Sequence, residues 1–385
     1  MKTTVLKMRQ LALAGALLLG ASVPALAAPA DVYVMSNAAD GNQVAMLSRA
    51  GDGSLRVTGH FATGGKGTGV GIVTPADPLG SQNGMVLSQN GKWLLAVNAG
   101  SNQLSLFRVQ HNKLSLASVV ASGGRFPVSV AEHGGLVYVL NAGSDGNVSG
   151  FRIEPDGELR ALPGGTRALN DHVPDVGAFP DILRAGAQIQ FAPEGNWLVL
   201  THKNVDGHGT IERFAVGPYG QLGESAQVSD SPDPVPFGFT FDARGDLLVT
   251  EAIAGTVSSY RLAADGALSV LGRTNSNGQA ALCWIDANRR YAYASNTLSD
   301  SLTAYRIERD GSLSILNADG VAVQLAKGAN PVDVKVSADG GFLNVVNGGA
   351  GTVGTYRIGQ DGQLKLIGEI AVFPPLSGME GMAAE

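Results

Sequence analysis

Two residues break a recurring pattern in this chain, and both are of types that move protons. Apolar runs spaced 43 to 61 residues apart end in Asn37, Asn98, Asn141, Asn296 and Asn347, but two consecutive copies end instead in His202 and Glu251. A carboxylate beside an imidazole can hold its tautomer and raise its basicity, which suits general acid–base work near neutral pH. Equivalent positions in neighbouring repeats predict His202 and Glu251 side by side, as base and acid on a small polar substrate. Asn98, Asn141, Asn296 and Asn347 are then candidate substrate-binding residues, although Asn at such a position also bonds the backbone of its own turn. Lys66, His172 and Arg184 lie in two long insertions and could face an anionic ligand. A calcium site would need Asp77, Asp171, Asp175 or Asp181 to join the asparagines, because Glu251 is the ring's only carboxylate. No metal and no other cofactor is therefore expected.

Other chemistry has little support. The glycine-rich stretch 64–71 lacks the Gly-Lys-Ser/Thr order of a phosphate loop and no helix follows it, so it reads as a flexible lid. No Gly-x-Ser-x-Gly, His-Glu-x-x-His or Cys-x-x-Cys motif occurs. The one cysteine, Cys283, sits in an apolar run without a neighbouring base and reads as a buried inert thiol.

The elements that must position these residues repeat. One apolar run is followed by a second that ends at the Asn/His/Glu position. A third run closes on aromatic-Arg-aliphatic, as in Phe107-Arg108-Val109 and Tyr356-Arg357-Ile358, its Arg expected in solvent. An Asp-Gly pair then turns the chain into a fourth run, both turn residues expected at positive φ. Seven such four-stranded units predict an all-β, seven-bladed β-propeller over 28–385. The first unit lacks an innermost strand, so the C-terminal stretch 375–384 is expected to supply it and close the ring. The insertions, 63–82 and 163–185, leave on the same face as the Asn/His/Glu turns, which makes that face the expected mouth of the site.

Residues 1–27 read as a signal peptide, with Lys2, Lys7 and Arg9 before the apolar Leu11–Gly20 and cleavage after Ala27 or Ala30. The expected location is periplasmic or secreted, with no membrane contact after cleavage. The chain after Ala27 carries 24 Lys plus Arg against 33 Asp plus Glu, a formal charge of −9 that disfavours nucleic acid as a partner. One closed domain of this kind is expected to act as a monomer on a small-molecule ligand.

With blade count, Asp-Gly turns and Glu251 in view, the chain resembles the seven-bladed propeller lactonase family, which includes propeller-type 6-phosphogluconolactonase and fungal carboxymuconate lactonising enzyme. Repeats 127–159 and 330–364 carry the blade pattern most clearly. The family's glutamate matches Glu251. Its His should fall near Ala187, and its Arg and His near Phe237 and Gly238, so those three are replaced. The resemblance implies a lactone or cyclic ester as substrate, hydrolysed or formed at the channel mouth. The alternative class is a non-catalytic propeller that binds a ligand or protein on the same face.

Overall fold

Alternation of apolar and small polar residues makes each run a strand, and four antiparallel strands repeat seven times around a central channel. This architecture is seen in a computed structural model that describes residues 30–71, 75–110, 113–169 and 171–385. The expected signal peptide lies outside the described residues. No α-helix occurs among them, only two three-residue 3-10 turns. Blade 1 uses Ala30–Met35, Gln43–Arg49 and Leu55–Ala62, and its innermost strand is Met382–Ala384. Val34 pairs with Met382 and Val32 with Ala384, so the C-terminus closes the ring as expected. The innermost strands of blades 2 to 7 are Met85–Leu87, Pro127–His133, Gly186–Phe191, Pro236–Phe241, Leu282–Ala287 and Pro331–Val336.

Second strands carry the blade-to-blade contacts. Those of blades 2 to 7 are Trp93–Asn98, Leu136–Asn141, Trp197–His202, Asp246–Glu251, Tyr291–Asn296 and Phe342–Asn347. Their side chains alternate between the two flanking seams: Val199 joins the apolar layer with blade 5, while Leu198 and Leu200 join the layer with blade 3. At its first residue each of these strands meets the hairpin glycine of the following blade, an Asp-Gly pair in all but blade 4, where Tyr219 precedes Gly220. A Cβ on Gly266 would stand 2.4 Å from the Trp197 ring, so only glycine fits that approach.

Two expectations about these hairpins need correction. Only the glycine takes positive φ, 97° at Gly53 and 88° at Gly266, and the aspartates do not. The aspartate acts through its side chain instead, as when Asp52 Oδ1 accepts from the Ser54 amide at 2.9 Å. The arginine of the aromatic-Arg-aliphatic signature is also more than a solvated residue. Arg357 lies 4.7 Å from the Phe342 ring and donates to the Asp52 carbonyl of blade 1, and Arg152 donates to the Tyr219 carbonyl of blade 4. These two guanidiniums tie their blades to the next, whereas exposed Arg261 pairs with Asp246 of its own blade.

Candidate functional site

The same alternation decides where the Asn/His/Glu positions point. Thr201 donates to the Phe237 carbonyl of blade 5, so His202, one residue on, faces blade 3. Thr250 donates to the Cys283 carbonyl of blade 6, so Glu251 faces blade 4. Residues in one register of a ring are related by the blade-to-blade rotation and all turn the same way. His202 and Glu251 thus lie in different seams with the second strand of blade 4 between them. No hydrogen bond or ion pair joins them among the described residues, which corrects the expectation of a side-by-side pair.

Five of the seven positions grip the connection arriving from the preceding blade. Asn98 Oδ1 accepts from Thr63 Oγ1 at 2.6 Å, Asn141 donates to the Ser122 carbonyl, and Asn296 Oδ1 accepts from Asn277. Glu251 does the same through Ser231 Oγ, 2.7 Å away. Asn37 bonds Thr68 of the first insertion, and Asn347 bonds Thr352 and Glu369 of its own blade. These asparagines are buried and do not converge on a ligand-binding ring. Glu251 is fully buried, its Oε1 has no hydrogen-bond partner among the described residues, and burial pushes its carboxyl up to about 7. Asp77, Asp171, Asp175 and Asp181 do not gather with them, and no cluster of three or more metal-ligating acids, histidines or cysteines occurs among the described residues.

His202 is the one position of the register that reaches a charged group of the second insertion. Its Nδ1 stands 3.4 Å from Asp171 and 3.6 Å from Glu212, while Nε2 lies 3.3 Å from the Arg184 carbonyl. Burial lowers its basicity, but Glu212, Asp171 and that carbonyl outweigh burial and hold the pKa above the ordinary histidine value. Both ring nitrogens face acceptors, an arrangement that suits an imidazolium. The other anticipated cations are also engaged or distant. Arg184 pairs with Asp181 and Asp206, exposed His172 with Asp145, and Lys66 is exposed on the rim of blades 1 and 2.

The expected mouth is closed. Instead of forming a lid above the channel, the first insertion runs into it and buries Leu79, Ser81, Gln82 and Asn83. Nor is its glycine-rich part an anion cradle: the Gly67 and Gly69 amides donate to the Ala38 and Asn37 carbonyls. The plug carries buried charge. Glu380 accepts from the Leu79 and Ser81 amides, Asp77 from the Gly80 amide, and Lys203 donates to the Gly80 carbonyl. Burial raises Asp77 to about 6 and Glu380 well above the carboxylate range, and lowers Lys203 to about 8. Cys283, buried beside this group, has its thiol pushed up by desolvation.

At the opposite end the channel is open. A cavity of about 430 Å³ lies where the innermost strands finish, within the range of small-molecule sites. Asn83, held at φ 64°, forms part of its wall. The Lys335 ammonium donates to Asn83 Oδ1 at 3.1 Å, its one hydrogen bond among the described residues, which leaves two of its three N–H groups for a ligand. The Gln190 amide stands beside Asn83. On the far side of the ring His133 has Nδ1 3.0 Å from Gln89, and Nε2 makes no protein hydrogen bond among the described residues. Phe191, Phe241 and Met382 supply apolar wall. Sequence reasoning missed this site. The available signal was a polar residue near the end of an apolar innermost strand: His133 in PVSVAEH, Asp286 in LCWIDA and Lys335 in PVDVKV.

A family model described as a lactonase with a seven-bladed β-propeller matches residues 41–168 and 252–376, more than half of the chain. The unmatched stretch between them contains both His202 and Glu251. Among solved structures, the chain is similar to a periplasmic gluconolactonase of Pseudomonas aeruginosa, at 15% identity and a TM-score of 0.71 over 93% of this chain and 99% of that one. A protein of Lactobacillus plantarum gives 16% and 0.71 over 93% and 100%. A candidate 6-phosphogluconolactonase of Bacteroides uniformis gives 18% and 0.69 over 93% and 99%. No curated protein sequence matches the chain.

Proposed function

This chain belongs to the seven-bladed β-propeller lactonase family, and we propose that it hydrolyses a small polar lactone in the open end of its channel. The observation that carries this reading is the cavity with the Lys335 ammonium on one side of the ring and the His133 imidazole on the other. The two free N–H groups of Lys335 receive the lactone carbonyl oxygen and the negative charge that develops there. His133 Nε2 takes a proton from water as its oxygen adds to the carbonyl carbon. Collapse of the tetrahedral intermediate breaks the ring C–O bond, and the imidazolium returns its proton to the departing alkoxide. The product is the open-chain hydroxy acid.

Export to the periplasm or beyond the cell fits this reading. The leader expected from sequence supports it, and a structural neighbour described as periplasmic is consistent with it. Intact mass of the purified protein tests it, with a mature N-terminus at Ala28 or Asp31 expected.

Turnover of a lactone panel by the mature protein, corrected for spontaneous hydrolysis and repeated with a chelator, tests the activity. Chelator-insensitive hydrolysis of at least one member is expected. Failure on every member would favour a ligand-binding propeller that uses the same cavity without chemistry.

A further inference from the structure

The charges along the channel say which lactones the cavity accepts. Three carboxylates line it, Glu132, Asp242 and Asp286, against the single ammonium of Lys335, and no arginine does. Asp242 is neutralised by Arg244 at 2.7 Å, but Glu132 and Asp286 have no cationic partner within 4 Å among the described residues. Their hydrogen bonds come from neutral donors: Glu132 accepts from the Gln89 and Gly135 amides, and Asp286 from Thr240 and the Val336 amide. Beyond the Asn83 wall, burial raises the carboxyls of Asp77, Glu380 and Asp333, so the negative charge that meets a ligand is that of the cavity's own Glu132 and Asp286. Arg289 does not line this cavity but an adjoining one of about 410 Å³, which shares Phe241, Asp242, Asp286 and Val336 with it.

A phosphate dianion is recognised by several convergent cationic or N–H donors, ideally a planar guanidinium. This cavity offers one ammonium, already bonded to Asn83, and an excess of negative charge at close range. Sugar hydroxyls find what they need: the Asn83 and Gln190 amides both donate and accept, the carboxylates accept, and Phe191 and Phe241 give an apolar face for a ring. We propose that the ligand is an uncharged polyhydroxylated lactone, and that phosphorylated or dicarboxylate lactones are excluded by the cavity's own carboxylates.

The proposal rests on the channel-end site argued above, and the test separates the two. The kcat/KM of the full-length mature protein is measured for glucono-1,5-lactone and for its 6-phosphate. The neutral substrate is expected to be favoured at least tenfold, with the gap narrowing as ionic strength rises. Asp286→Asn keeps the side chain's shape and is expected to narrow the gap at least threefold. Equal or better use of the phosphorylated lactone would overturn the charge argument and leave the lactonase reading standing. If neither is hydrolysed, the lactonase reading fails, and calorimetry with glucose and glucose 6-phosphate decides the charge question by binding alone. Tighter glucose binding then supports the proposal, whereas tighter binding of the phosphate, or no binding of either, overturns it.

Discussion

The two ends of one channel are built from the same repeat and have come to opposite states. At the end where innermost strands begin, long connections arrive, and the longest of them fills the opening. At the end where innermost strands finish, the connections are tight turns of two to five residues, too short to cover anything, and the cavity persists. Loop length alone thus misleads about where a ligand enters. A 20-residue insertion can be a lid, or it can be a stopper with its own apolar and amide contacts, as Leu79, Gln82 and Asn83 are here.

Variants at the two ends should behave oppositely. The largest effect is expected from Lys335→Met, which keeps the aliphatic stem but removes the charge, and should lower kcat/KM for a hydrolysed lactone by about 100-fold with little change in melting temperature. Steady-state kinetics beside a thermal scan checks it; a comparable loss from changes on the plugged face would break the contrast between the ends.

Ring closure gives the next largest effect, this time on stability. Deleting residues 379–385 removes the innermost strand of blade 1, buried Met379 and Met382, and the Glu380 contacts to the plug. A fall in melting temperature of about 10 °C or more is expected by calorimetry.

Glu251→Gln sharpens the comparison through pH. The folded carboxyl titrates at about 7, above its ordinary value of 4.5, because it is desolvated. Between those values the folded protein holds more protons than the unfolded chain, so stability falls as pH rises from about 4.5 and levels off above about 7. Glutamine removes that slope, with a relative gain of about 3 kcal/mol at pH 9 against pH 4. Denaturant titrations at the two pH values measure it, and an unchanged slope would mean that Glu251 is ionised in the fold.

A smaller effect belongs to His202→Asn. The raised imidazole pKa means that its stabilising charge is fully present below about 6.5 and is lost as pH rises through the folded value. The variant should cost about 1 kcal/mol at pH 5 and less at pH 9, with lactone turnover within threefold of the parent. Protease nicking confined to 171–184 would locate the loss in the second insertion.

The architecture was legible because its signals are local and repeat. Alternating runs, Asp-Gly pairs and a missing first strand name seven blades and their closure without any knowledge of what touches what. The site was harder because it depends on direction. A strand-end residue is visible in sequence, but the seam it faces follows from alternation combined with the rotation between blades, and ignoring the rotation paired His202 with Glu251. Glu251 drew attention as a departure from asparagine, yet it grips Ser231 much as Asn98 grips Thr63. His133 and Lys335 passed unnoticed because single polar residues near strand ends are common, and only the closed ring brings both to the wall of one cavity.

The central claim is that chemistry occurs at the open end of the channel. The most direct measurement is kcat/KM for one hydrolysed lactone in His133→Gln and Glu251→Gln, side by side and at constant pH. A fall of about 100-fold or more in the first with near-parental activity in the second is predicted. Lost turnover in Glu251→Gln with activity retained in His133→Gln would contradict it and move the chemistry to the plugged face.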